Sequence, residues 1–397
     1  MKIPLTKPYI GTEELAEILK PLESGWLVEG PQVRRFEEAV ESYTGTPHAV
    51  AVSSCTAALH VAVAALGLKP GDEVIVPGFT WVATANAVQC MGARPVFCDI
   101  DLKTFNIDPK HIENLITPRT VGIIAVHQFG LCADMDPILA IARMHDLWLV
   151  EDAACALGSF YKGTYAGNLG DCGCFSFHPR KIITTGEGGM LVTQSEDIAR
   201  KAVMLRSHGA ALSSHDRFHS PEKYRMADHP MHGYNYRLTD LQGSLGIAQM
   251  RKLTEILTRR EELASTYNTL LARCSWLRTP FVPDYATHNY QSYVCLFAPE
   301  IPTMENVSML RAQRDAIMKS LEEEGIATSQ GTHAPFLLSS YAKMYGYTPT
   351  LCENSYLAQE LSIALPLYVQ MTAEDQLRVT EALIGAYQKC VPETVCS

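Results

Sequence analysis

Between residues 49 and 152 short apolar runs alternate with stretches of helical period. The runs lie at 49–53, 73–77, 95–98, 121–127 and 147–152, and the helical patterns between them at 56–66, 80–91, 109–116 and 135–145. Parallel neighbours in a sheet must be joined by a crossover, so this spacing predicts right-handed βαβ units and a mostly parallel sheet. The runs are apolar throughout, as strands covered on both faces should be. Further strands are expected at 172–178 and 189–193, with helices near 195–207 and 239–271. These complete a large domain over 1–255. QSYVCLF (291–297) and helical patterns at 307–324 and 372–389 then predict a smaller α+β domain over 256–397. Ahead of the alternation, Thr12 with Glu13 and Glu14 opens a helix carrying Leu15, Ile18, Leu19 and Leu22 on one stripe, and a second helix carries Val33, Phe36, Val40 and Tyr43. The polar, His-rich segment 208–233 has no period and reads as a functional or mobile loop.

A chain of 397 residues is long enough for about two domains with a deep core. Its net charge of −10 argues against a general nucleic-acid binder, which needs a basic face. The start, MKIPLTKPYIGTEE, lacks a signal-peptide core, and no stretch is apolar for long enough to span a membrane, so a cytoplasmic protein is expected. The 12 cysteines are scattered, only Cys172 and Cys174 sit close together, and no CxxC pair occurs. Reduced, buried thiols and no metal site are therefore expected.

Parallel sheets place ligands beyond the carboxyl ends of their strands. Ser53-Ser54-Cys55-Thr56 follows the first run, Gly78-Phe79-Thr80-Trp81 the second and Glu151-Asp152 the fifth, while Ser176, His178 and Lys181 follow a later one. Each has a bland role open to it, such as a helix cap or a core aromatic. Together they match the needs of pyridoxal 5′-phosphate. A helix N-terminus with Cys55, Thr56 and Ser176 suits its phosphate. Trp81 suits its ring, and Asp152 suits a pyridine nitrogen that must stay protonated. Lys181 suits its aldehyde. A free lysine has a pKa near ~10.4, so a desolvated site beside cationic groups is expected to release the amine. Dinucleotide and P-loop readings lack GxGxxG and GxxxxGK[ST], and Gly186-Glu187-Gly188-Gly189 reads as a tight turn returning the chain as strand 189–193.

The chain resembles the DegT/DnrJ/EryC1/StrS family of pyridoxal-phosphate sugar aminotransferases, with the aspartate-aminotransferase (fold type I) architecture. The resemblance runs nearly end to end: SGWLVEGPQVRRFEE, SSCTAALH, PGFTWVATANAV, VEDAACALGS, GDCGCFSFHPRKIITTGEGGMLVT, LRSHG, GYNYRLTDLQGSLGIAQM and ALPLYVQMT. It implies Lys181 as the Schiff-base lysine and Asp152 as the pyridinium partner. Trp81 becomes the stacking aromatic, and Thr56, the Cys55 amide and Ser176 the phosphate binders. Asn235 would be donated to that phosphate by the second subunit of a homodimer. Where the family often has Gln or His against the phenolic oxygen, this chain has Cys155, a weaker donor.

The resemblance implies transfer of an amino group from an amino acid, glutamate, to a keto group of a nucleotide-linked deoxysugar. His178 and TTGEGG match the branch acting at C4 better than the SFYPxKNLG branch acting at C3. Arg206, His208, Arg237 and His333, with His178, are the candidate cations for an anionic substrate. Two other readings stay open: a keto-cyclitol acceptor, and a non-catalytic sensor that keeps the fold but would need neither Lys181 nor Asp152.

Overall fold

The computed structural model describes residues 2–212, 220, 221 and 224–391. Part of the 208–233 segment, residues 213–219, 222 and 223, lies outside the described residues, as does Cys396.

Helices α1 (Thr12–Ser24) and α2 (Pro31–Thr44) precede the alternating region. There follow β1 (His48–Val52), α3 (Cys55–Ala65), β2 (Glu73–Pro77), α4 (Ala83–Gln89), β3 (Arg94–Cys98), β4 (Thr120–Val126), α5 (Met135–Met144) and β5 (Trp148–Asp152). A small hairpin, β6 (Phe160–Tyr161) and β7 (Thr164–Tyr165), leads to β8 (Cys172–Ser176) and β9 (Gly189–Thr193), then to α6 (Glu196–Arg206) and α7 (Asp240–Leu271). The main sheet has seven strands in the order β1-β9-β8-β5-β4-β2-β3. Every strand but β9 runs one way; β9 is antiparallel to both its neighbours. The Gly186–Gly189 turn reverses the chain after β8, with Phe177 N–H donating to Gly188 O at 2.9 Å.

Period-two alternation sends successive strand residues to opposite faces. Val50, Val52, Val74, Val76, Ile124, Val150 and Leu191 pack with α3 and α6. Ala49, Ala51, Ile75, Ile123, Leu149, Met190 and Val192 pack with α2, α5 and the first half of α7. A three-stranded antiparallel sheet, β10 (Leu277–Arg278), β11 (Tyr293–Phe297) and β12 (Ser362–Leu365), builds the second core with helices Val307–Glu323 and Ala373–Cys390. Helix α7 serves both cores, Ile256 in the first and Leu263 in the second. Ile3, placed by the sequence division in the large domain, bridges to Ile326 and joins the second core.

Two expectations change. The 109–116 stretch forms two 3₁₀ turns, Pro109–His111 and Glu113–Leu115, its amides bonding three residues back (Ile112 N–H to Pro109 O and Ile116 N–H to Glu113 O, both 3.2 Å) before the chain meets Pro118. Helix α1 is inverted. Glu14, Glu17 and Pro21 are its buried residues, while Leu15, Leu19 and Leu22 are 64%, 53% and 53% exposed. The reason lies on α7: Lys252 Nζ meets Glu14 Oε2 at 2.9 Å, Gln249 Nε2 donates to Glu14 Oε1 at 2.8 Å, and Arg251 meets Glu17 at 2.7 Å. Burial opposes the charge on Glu14, yet these donors hold its carboxyl below the ordinary range.

No described helix is long and apolar enough to cross a membrane, and no cluster of potential metal ligands occurs among the described residues.

Candidate active site

The carboxyl ends of the strands surround a cavity of about 580 Å³. Its wall includes Cys55, Thr56, Trp81, Asp152, Cys155, Ser176, His178 and Lys181, brought together from four strand–loop junctions.

At one end stands the N-terminus of α3. Ser54 is its cap, its side chain accepting from Ala57 N–H at 3.1 Å. The amides of Cys55 and Thr56 are left at the open, electropositive end of the helix, the arrangement that receives a phosphate. Strand β9 passes directly beneath: a Cβ on Gly189 would lie 2.4 Å from Ser54 C, so only glycine lets the turn sit there. Cys55 itself points inward, its Sγ donating to Cys174 O at 3.5 Å.

On the floor, Asp152 ends β5. Thr84 Oγ1 donates to its Oδ2 at 2.7 Å and Ala154 N–H to its Oδ1 at 3.2 Å. Burial pushes its carboxyl above the ordinary value, despite these bonds and the nearby Lys181 and His127. A buried carboxylate of this kind is stabilised by any cation brought against it.

Lys181 stands in the turn between β8 and β9, its N–H donating to His178 O at 2.8 Å. Its Nζ lies 3.0 Å from Cys155 Sγ. Here the sequence expectation is overturned. Burial lowers the ammonium's pKa, but Cys155, Cys55 and Asp152 outweigh it and the net shift is upward. The neighbours that should have been cations are a thiol pair and a carboxylate.

Trp81 is 61% exposed, its ring 5.1 Å from that of His333 and tilted by 36°. Thr80 N–H donates to His333 O at 3.0 Å, tying the two segments. His333 thus packs on Trp81 at the edge of the cavity, where its neighbours Gly331 and Thr332 form the wall.

Three other expected cations lie away from the cavity. Arg206 is buried between Glu37 and Glu29, with Nη1 and Nη2 at 2.6 and 2.7 Å from their carboxylates, and it also donates to Ala51 O. It is a core ion pair and not a substrate ligand. His208 is exposed, in the left-handed region at φ 59°. Arg237 donates to Ser207 Oγ at 3.2 Å, and Asn235 is exposed beside it on a segment that runs along the end of β1.

Sequence reasoning missed a buried pair behind the floor. His127 Nε2 lies 2.8 Å from Glu151 Oε2, both fully buried. His127 Nδ1 accepts from Ala133 N–H, so the proton sits on Nε2 and is donated to Glu151. Glu151 also accepts the amides of Gly167, Leu169 and Gly170. Alternation along β5 turns Glu151 away from the cavity that Asp152 faces. Also missed were Arg180 and Gln291, both on the wall.

These side chains fit pyridoxal 5′-phosphate: an anion site at α3, an exposed aromatic, a buried carboxylate and a lysine around one cavity. Comparison with known proteins agrees. The chain belongs to the DegT/DnrJ/EryC1/StrS aminotransferase family, whose pattern matches residues 8–384. It is a pyridoxal-phosphate-dependent aminotransferase of the fold type I architecture. It is 40% identical over 382 residues to the spore coat polysaccharide biosynthesis protein SpsC of Bacillus subtilis, covering 96% of each chain. It superposes on Helicobacter pylori PseC, an aminotransferase involved in the biosynthesis of pseudoaminic acid, with a TM-score of 0.89 at 25% identity, covering 98% of this chain and 100% of that one. Spr1654 of Streptococcus pneumoniae, solved in its PLP form, matches with a TM-score of 0.89 at 28% identity, covering 99% and 100%.

Proposed function

We propose that this enzyme moves an amino group from an amino acid, glutamate, to the C4 keto group of a nucleotide-linked deoxysugar, working as a homodimer with shared active sites. The observation that carries the reading is the convergence of Lys181, Asp152 and Trp81 on one cavity large enough for a cofactor and a sugar. That SpsC and PseC serve polysaccharide and pseudoaminic acid biosynthesis supports a sugar as acceptor.

Bound in this cavity, pyridoxal phosphate supplies an electron sink for removal of a proton next to nitrogen. Lys181 would hold the cofactor, and its amine is the base placed to carry that proton. Asp152, held by Thr84 and Ala154, keeps a positive charge on the ring nitrogen. The α3 amides with Thr56 and Ser176 fix the phosphate, and Trp81 covers the ring. Cys155, already against Lys181 Nζ at 3.0 Å, would be the side chain offered to the cofactor's phenolic oxygen.

The second subunit is supported by surface chemistry. Leu15, Leu19 and Leu22 on α1 are exposed together with Leu27 and Val28. Asp240 N–H, at the start of α7, donates to both Leu27 O and Val28 O at 3.2 Å, placing those residues near the Asn235–Arg237 segment. Large apolar side chains left exposed in this number suit an interface, and a second copy seated on them would bring Asn235 toward the partner's phosphate site.

The test is a panel of nucleotide keto-sugars and cyclitol ketones assayed with glutamate and read by product mass. Borohydride reduction should leave the pyridoxyl mass on the peptide containing Lys181. A cyclitol ketone that outperforms every nucleotide-sugar would replace the acceptor class. Label on any other lysine would overturn the site.

A further inference from the structure

The cavity wall carries a cation that the motifs did not single out. Besides Lys181, Arg180 is the only arginine or lysine among the described residues of the wall. His178 is the remaining basic group there, and burial pushes its pKa down, leaving it neutral near pH 7. Every other arginine considered for substrate binding is engaged elsewhere: Arg206 with two buried glutamates, Arg237 with Ser207.

Arg180 is held by its backbone and free at its side chain. Its N–H donates to His178 Nδ1 at 3.2 Å, and its carbonyl accepts from Gln291 Nε2 at 2.8 Å. Gln291 is itself fixed, its N–H donating to Asn289 Oδ1 at 2.9 Å and its carbonyl accepting from the buried Arg260 at 2.6 Å. Asn289 in turn donates to Cys155 O at 2.8 Å. So one segment of the smaller domain, 289–291, pins the backbone on both sides of the Lys181–Cys155 contact. The guanidinium of Arg180 makes no hydrogen bond or ion pair with any described residue. A pinned backbone with an open, planar, permanently charged side chain is suited to a carboxylate, which it grips with two parallel bonds.

Which anion that is follows from position. Arg180 adjoins Lys181 in the chain, and in the donor step the α-carbon of the amino acid must come to the Lys181 amine. The donor's α-carboxylate is one bond from that carbon. The diphosphate of a nucleotide-sugar hangs from the anomeric carbon, across the sugar ring from the reacting C4. We propose that Arg180 binds the α-carboxylate of the amino donor and so makes the first half-reaction specific for amino acids. The inference rests on the aminotransferase reading above and adds the residue that selects the donor.

The experiment uses the cofactor-loaded enzyme and α-methylglutamate, which binds like the donor but has no α-proton to lose. Its dissociation constant is read from the change in cofactor absorbance. Arg180→Gln should raise that constant about 10–100-fold, the loss of a bidentate charge-assisted contact, with Arg180→Lys in between. A second probe, isoglutamine, carries an amide in place of the α-carboxylate. The wild-type enzyme should bind glutamate better than isoglutamine, and in Arg180→Gln that ratio should collapse toward one. The amine-loaded enzyme should still aminate its keto acceptor at the wild-type rate. An unchanged constant for α-methylglutamate overturns the proposal, as does equal weakening of isoglutamine, or a loss confined to the acceptor step or to Arg237→Gln. If the wild-type enzyme is not aminated by any amino acid, the aminotransferase reading itself fails. An intact donor step that ignores Arg180 defeats this inference alone.

Discussion

Replacing Asp152 by asparagine separates charge from shape on the cavity floor. The two existing hydrogen bonds survive the change. Ala154 N–H can still donate to Oδ1, now 3.2 Å away. The new amide can donate to Thr84 Oγ1 across the present 2.7 Å contact, because Thr84 can turn its own proton to Thr80 Oγ1 at 2.9 Å. Burial pushes the Asp152 carboxyl upward, so at neutral pH its charge costs the empty fold stability, and a neutral amide relieves that cost. Asp152→Asn, freed of cofactor, should therefore melt at or above the wild-type temperature. Catalysis should go the other way. An opposite charge at contact distance raises a cation's pKa by about 1–3 units. At about 1.4 kcal/mol per unit, the ring nitrogen loses about 1.4–4 kcal/mol of support. Turnover should fall about 10–10³-fold with cofactor content retained. Single-turnover absorbance with glutamate measures the rate, and calorimetry of the cofactor-free protein measures the stability. Near-normal turnover would refute the electrostatic argument. A melting temperature several degrees lower would make Asp152 a structural cap.

Two further outcomes are expected. Changing Leu15 and Leu19 together to glutamate leaves the buried Glu14 and Glu17 contacts intact and should shift the protein to monomers in sedimentation, with loss of turnover; a persistent dimer would move the interface elsewhere. Arg206→Met strands Glu29 in the core and leaves Glu37 only Arg34 and the Ala51 amide, and should cost about 3–5 kcal/mol in denaturant unfolding, whereas a loss under about 1 kcal/mol would show that the carboxylates find other partners.

The sheet was legible because each strand is a local apolar run bounded by turn residues, and burial on both faces leaves no competing register. The return of β9 was legible too, since Gly186 sits at φ 83° and marks the turn by its residue type. What failed were inferences about partners distant in sequence. The leucine stripe of α1 is a correct helix signal, but which face a helix buries depends on what it packs against. Lys252, Arg251 and Gln249, more than two hundred residues on, choose the glutamate face. The 109–116 stretch shows a milder miss: its helical pattern is real, but its bonds close three residues back as 3₁₀ turns.

At the site, residue chemistry was readable and residue availability was not. Arg206 and Arg180 are alike as letters; one has two carboxylates waiting in the core, and the other has a carbonyl clamped by Gln291 and a side chain left open. Glu151 and Asp152 are adjacent carboxylates at one strand end, yet alternation points one at His127 and three loop amides and the other at the cavity. A motif supplies the lysine, the aromatic and the carboxylate, and the long-range hydrogen bonds decide which of the remaining charges is free to meet a substrate. On that ground Arg180, within the block that carries Lys181, is the arginine open to the donor, and Arg206, within LRSHG, belongs to the core.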